Sequence, residues 1–227
     1  MGLYYDHRPA QSIATRYRHG LSRLYSFLTV AYDRSSSVVE EGCQTVVTAL
    51  KLTVHQLDAL PDDGQRYELI DGELLVSKAP GIAHQRSLGR LFVRLSNSLA
   101  DSGLGEVLLT PGIIFGDYDA VIPDLVLVLA GREGIISDRG LFEAPDLIVE
   151  VVSAGEKNSE RDRQIKRQLY SRHGVREYWI LDPVHKTVEI YRRKRNVLVH
   201  EMTLRGSDKL ASPLVAGFSC VVSQIFG

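Results

Sequence analysis

The sequence predicts an α/β domain: a mixed β-sheet flanked by helices and preceded by a β-hairpin. Three observations predict it. In "RYELIDGELLVSK", Asp71-Gly72 stands between two β-type runs. Both residues tolerate positive φ, which a two-residue hairpin turn requires. In "HQRSLGRLFVRLSNSLADSG", Leu88, Leu91, Leu95 and Leu99 recur at helical spacing, and Gly103 offers a stop. Beyond it, strand-like and helix-like runs alternate, which calls for helices packed on a sheet.

The remaining elements follow in order. Thr53 is placed to cap a short helix over "VHQLDAL", stopped by Pro61. After the long helix, "EVLLTPGIIFG" and "VIPDLVLVLA" read as strands separated by "DYDA", with "RGLFEA" a connector and "PDLIVEVVS" a further strand. "SERDRQIKRQLYSRHG" reads as a helix with Ser159 as N-cap, acids in its first turn and Gly174 at its end. "EYWILD" and "TVEIYRRK" are the last clear strands, joined through Asp182-Pro183. Residues 1–47 differ in composition, being rich in arginine, tyrosine and serine, and read as a poorly ordered extension to a domain over 48–227.

Composition excludes several classes. The 227 residues suffice for one well-cored domain and are few for two. A net charge of -1 gives no global field toward nucleic acid or membrane, so any such contact must be local. Two cysteines, Cys43 and Cys220, make neither a disulfide framework nor a metal cluster, which fits a reducing cytoplasm. No apolar run approaches the roughly 20 residues of a membrane span. Arg8, Arg16, Arg18 and Arg23 interrupt the start of the chain where a signal peptide would be apolar. No glycine-rich phosphate loop follows any strand, which argues against a nucleotide-binding fold.

Glu150 lies in the middle of the apolar run "DLIVEVVS", and Asp124 heads another, "PDLVLVL". An unpaired carboxylate in an apolar interior costs several kcal/mol, so each needs a proton, a cation or the sheet's end. Two such acids on neighbouring strands suit Mg²⁺, which takes one or two carboxylates plus water and phosphate oxygens. Taken alone, each acid is better explained as a loop cap or an arginine partner; the pair with its basic helix leaves the two readings open. On the following helix Asp162 and Lys166 share a face that Leu169 and His173 continue, and Ile165 with Leu169 can seat that helix on the sheet. Lys166 is then either aimed at the acids or part of a surface i,i+4 pair.

"YELIDGEL", "HQRSLGRL", "PGIIFG", "IPDLVLV", "APDLIVEVVS", "RDRQIKRQLYSRHGVREYWILDP" and "VEIYRR" occur in one order. In this the chain resembles the Uma-type restriction endonuclease family of the PD-(D/E)XK nuclease superfamily, over about Leu52 to Val199. The resemblance implies a restriction-endonuclease-like core and a Mg²⁺-dependent phosphodiesterase site, with Mn²⁺ as a substitute. It implies Asp124 and Glu150 as metal carboxylates, with Glu73 completing or supporting the metal site. The superfamily's lysine, expected two residues after the second acid, is replaced by Val152, and the resemblance points instead to Lys166 on the helix. His84 matches a family histidine, there to touch phosphate or hold an acid; a structural hydrogen bond at a helix start is the other reading. Glu68 matches as a supporting acid ranked below Glu73. Asp146, in a second "PD", reads as a turn residue. The loop "SAGEKNSE" departs from the family's serine-proline-serine pattern.

The function this implies is a Mg²⁺-dependent DNA endonuclease in the cytoplasm, with no membrane partner and, by analogy with nucleases that cut both strands, a homodimer. The rival class is a catalytically silent nucleic-acid-binding or accessory protein on the same scaffold, which Val152 and the altered loop keep open. "YRRKRN" supplies cations for phosphate contacts or, alternatively, the protective charge of an edge strand.

Overall fold

The computed structural model describes residues 51–77, 79–152 and 161–227. The extension over 1–47, the loop over 153–160 with Ser159, and the side chain of Asp162 lie outside the described residues.

The local signals act where they stand. Helix α1 (Val54–Leu57) opens on a capping box: the Gln56 N–H donates to the Thr53 hydroxyl, and the Gln56 side chain accepts from the Thr53 N–H at 2.9 Å. Strands β1 (Arg66–Ile70) and β2 (Glu73–Ser77) pair antiparallel with Ile70 opposite Glu73. The turn is therefore Asp71 and Gly72 alone, at φ 53° and 80°. Helix α2 (Ile82–Ser102) ends at Gly103 in the left-handed region, φ 63°.

The two strand runs that follow each divide in two. They give β3 (Gly105–Leu109) and β4 (Ile113–Gly116), then β5 (Asp119–Val121) and β6 (Leu125–Leu129). Pro111 and Pro123 stand at the breaks. A proline has no N–H for the ladder, so each run turns a corner there and its halves join different sheets. Next come β7 (Ile136–Ser137), β8 (Gly140–Leu141) and β9 (Leu147–Val151). A π-helical segment, Arg161–Lys166, runs into α3 (Arg167–His173), which Gly174 ends at φ 93°. Strands β10 (Glu177–Asp182), β11 (Thr187–Lys194), β12 (Val197–Arg205), β13 (Lys209–Ala211) and β14 (Ser219–Val221) and a last turn of helix, α4 (Ser223–Phe226), complete the chain.

Among the described residues two six-stranded sheets form, ordered β12-β11-β10-β9-β6-β3 and β2-β1-β5-β4-β8-β7, beside the small β13-β14 hairpin. The first is the central sheet, and it is mixed: β9 and β10 run parallel through the helical crossover, and its other pairs are antiparallel. The α/β architecture with a mixed sheet and flanking helices is thus the one expected, and the hairpin enlarges into a second sheet. Odd residues of β9, Leu147 and Val149, face Leu91, Leu95 and Leu99 of α2 and the C-terminal Phe218 and Ile225. Even residues, Ile148 and Val152, face Leu169 and Tyr170 of α3 with Ile113 and Val121 of the second sheet. A strand covered on both faces has no polar side, so its apolar run, interrupted by Glu150, is what the position demands.

Two expectations change. The strands do not end with β11: β12 is nine residues long and forms the edge, with a mostly exposed surface that leaves little apolar pattern to read. The cations of "YRRKRN" accordingly sit on an interior strand and its turn, not on an edge. And Ile165 does not seat the helix: it is 43% exposed, while Lys166 is turned inward at 3%. No helix among the described residues is long and apolar enough to cross a membrane.

Candidate active site

The register of the central sheet brings the two strand acids together. Leu125 of β6 lies opposite Val149 of β9 in an antiparallel pair. Asp124 precedes Leu125 and Glu150 follows Val149, so both acids fall at the same end of adjoining strands and on the same face. Asp124 is 4% exposed and so is Glu150. The Val151 N–H donates to Asp124 Oδ2 at 2.8 Å, tying one acid to the other's strand.

Lys166 reaches them from the crossover. Its Nζ lies 2.8 Å from Glu150 Oε1 and 3.0 Å from Glu68 Oε1. The π-helical winding just before α3 turns Lys166, rather than Ile165, toward the sheet. Tyr170, one turn on, donates its hydroxyl to the same Glu150 oxygen at 2.7 Å. Burial raises the Tyr170 phenol well above its ordinary range, and the neighbouring Glu150 charge adds to the rise, so the hydroxyl stays protonated and a donor.

Glu68 enters from the second sheet. It is 3% exposed, and the Ile122 N–H donates to its Oε1 at 2.9 Å. Glu73, ranked above it from sequence, is not brought to the cluster. The hairpin register pairs Glu68 with Leu75 and Ile70 with Glu73, so the two acids share a face. Glu73 sits two positions nearer the turn, about 7 Å along the strand, and is exposed. Tyr170 had no signal in sequence beyond its i+4 spacing from Lys166.

His84, in the first turn of α2, lies with Nε2 3.0 Å from Asp124 Oδ2. Its buried Nδ1 has no partner. The ionised Asp124 carboxylate can only accept, so Nε2 carries a proton and His84 donates to Asp124. The histidine therefore holds an acid. Arg66, with a side chain 27% exposed, places Nη1 3.5 Å from Asp124 Oδ1 and anchors Nη2 on the Ile122 carbonyl at 2.8 Å. Burial pushes the Asp124 carboxyl up, but the His84 bond and charge, the Val151 N–H and the Lys166 charge outweigh it. The net value lies below the ordinary 3.8, so Asp124 is ionised at neutral pH.

Two buried acids, Glu68 and Glu150, thus share Lys166, and a third, Asp124, lies beside them, held by His84 and the Val151 N–H. A divalent cation fits such a donor set: hard carboxylate oxygens in excess over the ammonium, with Asp124 kept as the anion. Among the described residues no three His, Cys, Asp or Glu side chains are gathered into a ready-made cation cage.

Asp146, in the second "PD", is more than a turn residue. It is fully buried, accepts the Leu129 N–H at 3.0 Å, and pairs with Arg132 at 3.0 Å and Arg176 at 2.9 Å. It stands at the opposite end of β9 from Glu150 and clasps the strand there.

The family model Uma2, described as "Putative restriction endonuclease", matches residues 54–223. Among solved structures, the chain is similar to a "putative nuclease belonging to DUF820" from Anabaena variabilis ATCC 29413. The TM-score is 0.63 at 18% identity, covering 77% of this chain and 97% of that one. The type IIG restriction endonuclease BpuSI matches at TM-score 0.35 and 19% identity, over 66% of this chain and 16% of that one. No curated protein matches the chain.

Proposed function

The chain belongs to the Uma2 restriction endonuclease family, and on that premise we propose that it is a Mg²⁺-dependent endonuclease hydrolysing phosphodiester bonds in DNA. The observation that carries the reading is the buried Lys166, 2.8 Å from Glu150 although Val152 stands where the superfamily keeps its lysine. The cation is supplied from the crossover helix, which favours an enzyme over a silent scaffold.

In this reading Asp124 and Glu150 would hold Mg²⁺ or Mn²⁺. Bound there, the ion supplies positive charge at the phosphoryl group and acidifies water. His84 and the Val151 N–H keep Asp124 ionised and fixed. Tyr170 orients Glu150 through its shared oxygen. Glu68 holds Lys166 in place, so the ammonium donates to the developing charge without reorganising. Arg66, partly exposed beside Asp124, is set to meet an incoming phosphate with a guanidinium already anchored on a carbonyl. The setting is cytoplasmic, and cutting both strands of a duplex takes two such sites, hence a homodimer.

A plasmid-nicking assay in Mg²⁺ and in Mn²⁺ tests it. Asp124→Ala and Glu150→Ala each bring nicking to background with an unchanged circular-dichroism spectrum, and Lys166→Gln lowers the rate roughly 10²-fold or more. Nicking retained by either acid variant would sink the assignment. Salt-dependent duplex binding with no turnover in either metal would hand the protein to the silent-scaffold reading.

A further inference from the structure

The far end of the central sheet carries a second charged feature. Leu147 lies opposite Glu177 in the parallel β9-β10 pair, and Glu150 opposite Ile180. Three positions separate them, about 10 Å along the strand. At the Glu177 end is a cavity of about 320 Å³, lined by Arg176, Arg192, Arg193 and Arg195 with an apolar wall from Pro213 and Leu214. We propose that this cavity is a phosphate-binding site, separate from the carboxylate cluster.

The argument lies in which charges are already matched. Arg176 is paired with Asp146 at 2.9 Å, and Arg192 with Glu177 at 3.1 Å. Glu177, the one acid in the wall, is 1% exposed. Its other oxygen accepts the Ser212 hydroxyl, so it is fully engaged. Lys194 is paired with Glu201 at 2.9 Å. Two arginines remain. Arg193 donates Nη1 to the Ser171 and Val175 carbonyls, at 2.9 and 3.4 Å, and has no carboxylate partner among the described residues. Its charge is therefore anchored by neutral groups and left uncompensated. Arg195, in the β11-β12 turn at φ 58°, has no hydrogen bond or ion pair with a described residue.

Two uncompensated guanidinium groups at one cavity, one of them fixed in advance, are a receptor for a compact multivalent anion. Planar forks match phosphate oxygens two at a time, and a fork already held loses little freedom on binding. The volume lies within the roughly 300–1,000 Å³ of small-ligand sites. The phosphate belongs either to a free phosphate compound or to a nucleic-acid backbone; the chemistry of recognition is the same.

Isothermal titration at low salt tests this with sodium pyrophosphate and, separately, a short DNA duplex. Arg195→Gln and the double variant Arg193→Gln/Arg195→Gln are compared with wild type, and Arg139→Gln, an exposed arginine paired with Asp58 at 3.0 Å in the β7-β8 turn, serves as the control. Wild type binds pyrophosphate, the double variant binds it roughly tenfold more weakly or worse, and Arg139→Gln matches wild type. Arg195 lies on a turn, so its single variant keeps the test open if the double variant folds poorly. Duplex affinity falling in parallel assigns the phosphate to nucleic acid; pyrophosphate affinity falling alone assigns it to a free compound. No pyrophosphate binding at millimolar concentration, or equal affinity in both arginine variants and wild type, overturns the site.

Discussion

Lys166 is shared between two acids, and the sharing predicts unequal consequences for mutations that look alike in sequence. Glu68→Gln removes a charge from the ammonium's second partner, 3.0 Å away. It should cost about 1–3 kcal/mol of stability and, on the proposed function, slow nicking while Mg²⁺ affinity stays near wild type, because the proposed metal acids Asp124 and Glu150 are untouched. Glu73→Gln, at an exposed turn position, should stay within about 0.5 kcal/mol and cleave normally. Urea midpoints and nicking rates across a Mg²⁺ titration separate the two; equal losses would mean that Glu68 is only structural. The Asp71-Gly72 turn signal put the two glutamates on adjoining strands of one hairpin. It did not carry depth, because which end of the hairpin meets the central sheet is set by residues some fifty positions away, such as Ile122. Asp146 does stand at the bend before β9, as read, but its burial was illegible for the same reason: its partners Arg132 and Arg176 come from either side of it in sequence and meet only in the fold.

Elements were legible wherever a backbone need is met by adjacent residues. The Thr53-Gln56 cap, the Asp71-Gly72 turn and the glycine stops at 103 and 174 are of that kind. The corners at Pro111 and Pro123 were visible as prolines, yet the sheet each half would join was not, since sheet membership is a long-range pairing. Two glycines near the end of α2 turn this into a measurement. At Gly103 an added Cβ meets nothing within 4 Å, so only the positive φ resists; Gly103→Ala should cost about 1 kcal/mol. At Gly105 an added Cβ would stand 2.3 Å from the Val128 carbonyl oxygen and 2.8 Å from Leu129 Cα, both backbone atoms of the partner strand β6. Gly105→Ala must therefore push two strands apart and should cost more, about 1–3 kcal/mol of overpacking on top of the backbone strain. Denaturant midpoints giving equal losses would show that β3 is free to move away from β6.

For the whole molecule, acid is the condition that should expose the design. Glu68, Asp124, Asp146, Glu150, Glu177 and Asp182 are all buried, and each meets a donor within the fold. Asp182 ends β10, two positions beyond Ile180, the residue opposite Glu150. Burial raises the Asp182 carboxyl, but the His185 N–H and imidazole and the Arg163 guanidinium more than reverse that, leaving it below the ordinary 3.8. Asp124 is lowered likewise, burial being outweighed first by His84. A carboxyl that is more acidic in the folded chain than in the unfolded one binds its proton first in the unfolded chain. Its stabilisation is complete above the unfolded value, 3.8 for an aspartate, and is lost as pH falls through the lowered native value. The melting temperature should therefore hold from neutrality down to that point and drop steeply below it. Asp182→Asn discards one of these contributions: it should melt lower than wild type at pH 7, with a shallower acid limb, so that the two curves converge as the acid limit is approached. Curves that stay parallel across the whole range would mean that Asp182 acts through its hydrogen-bond geometry alone, with its charge irrelevant to the fold.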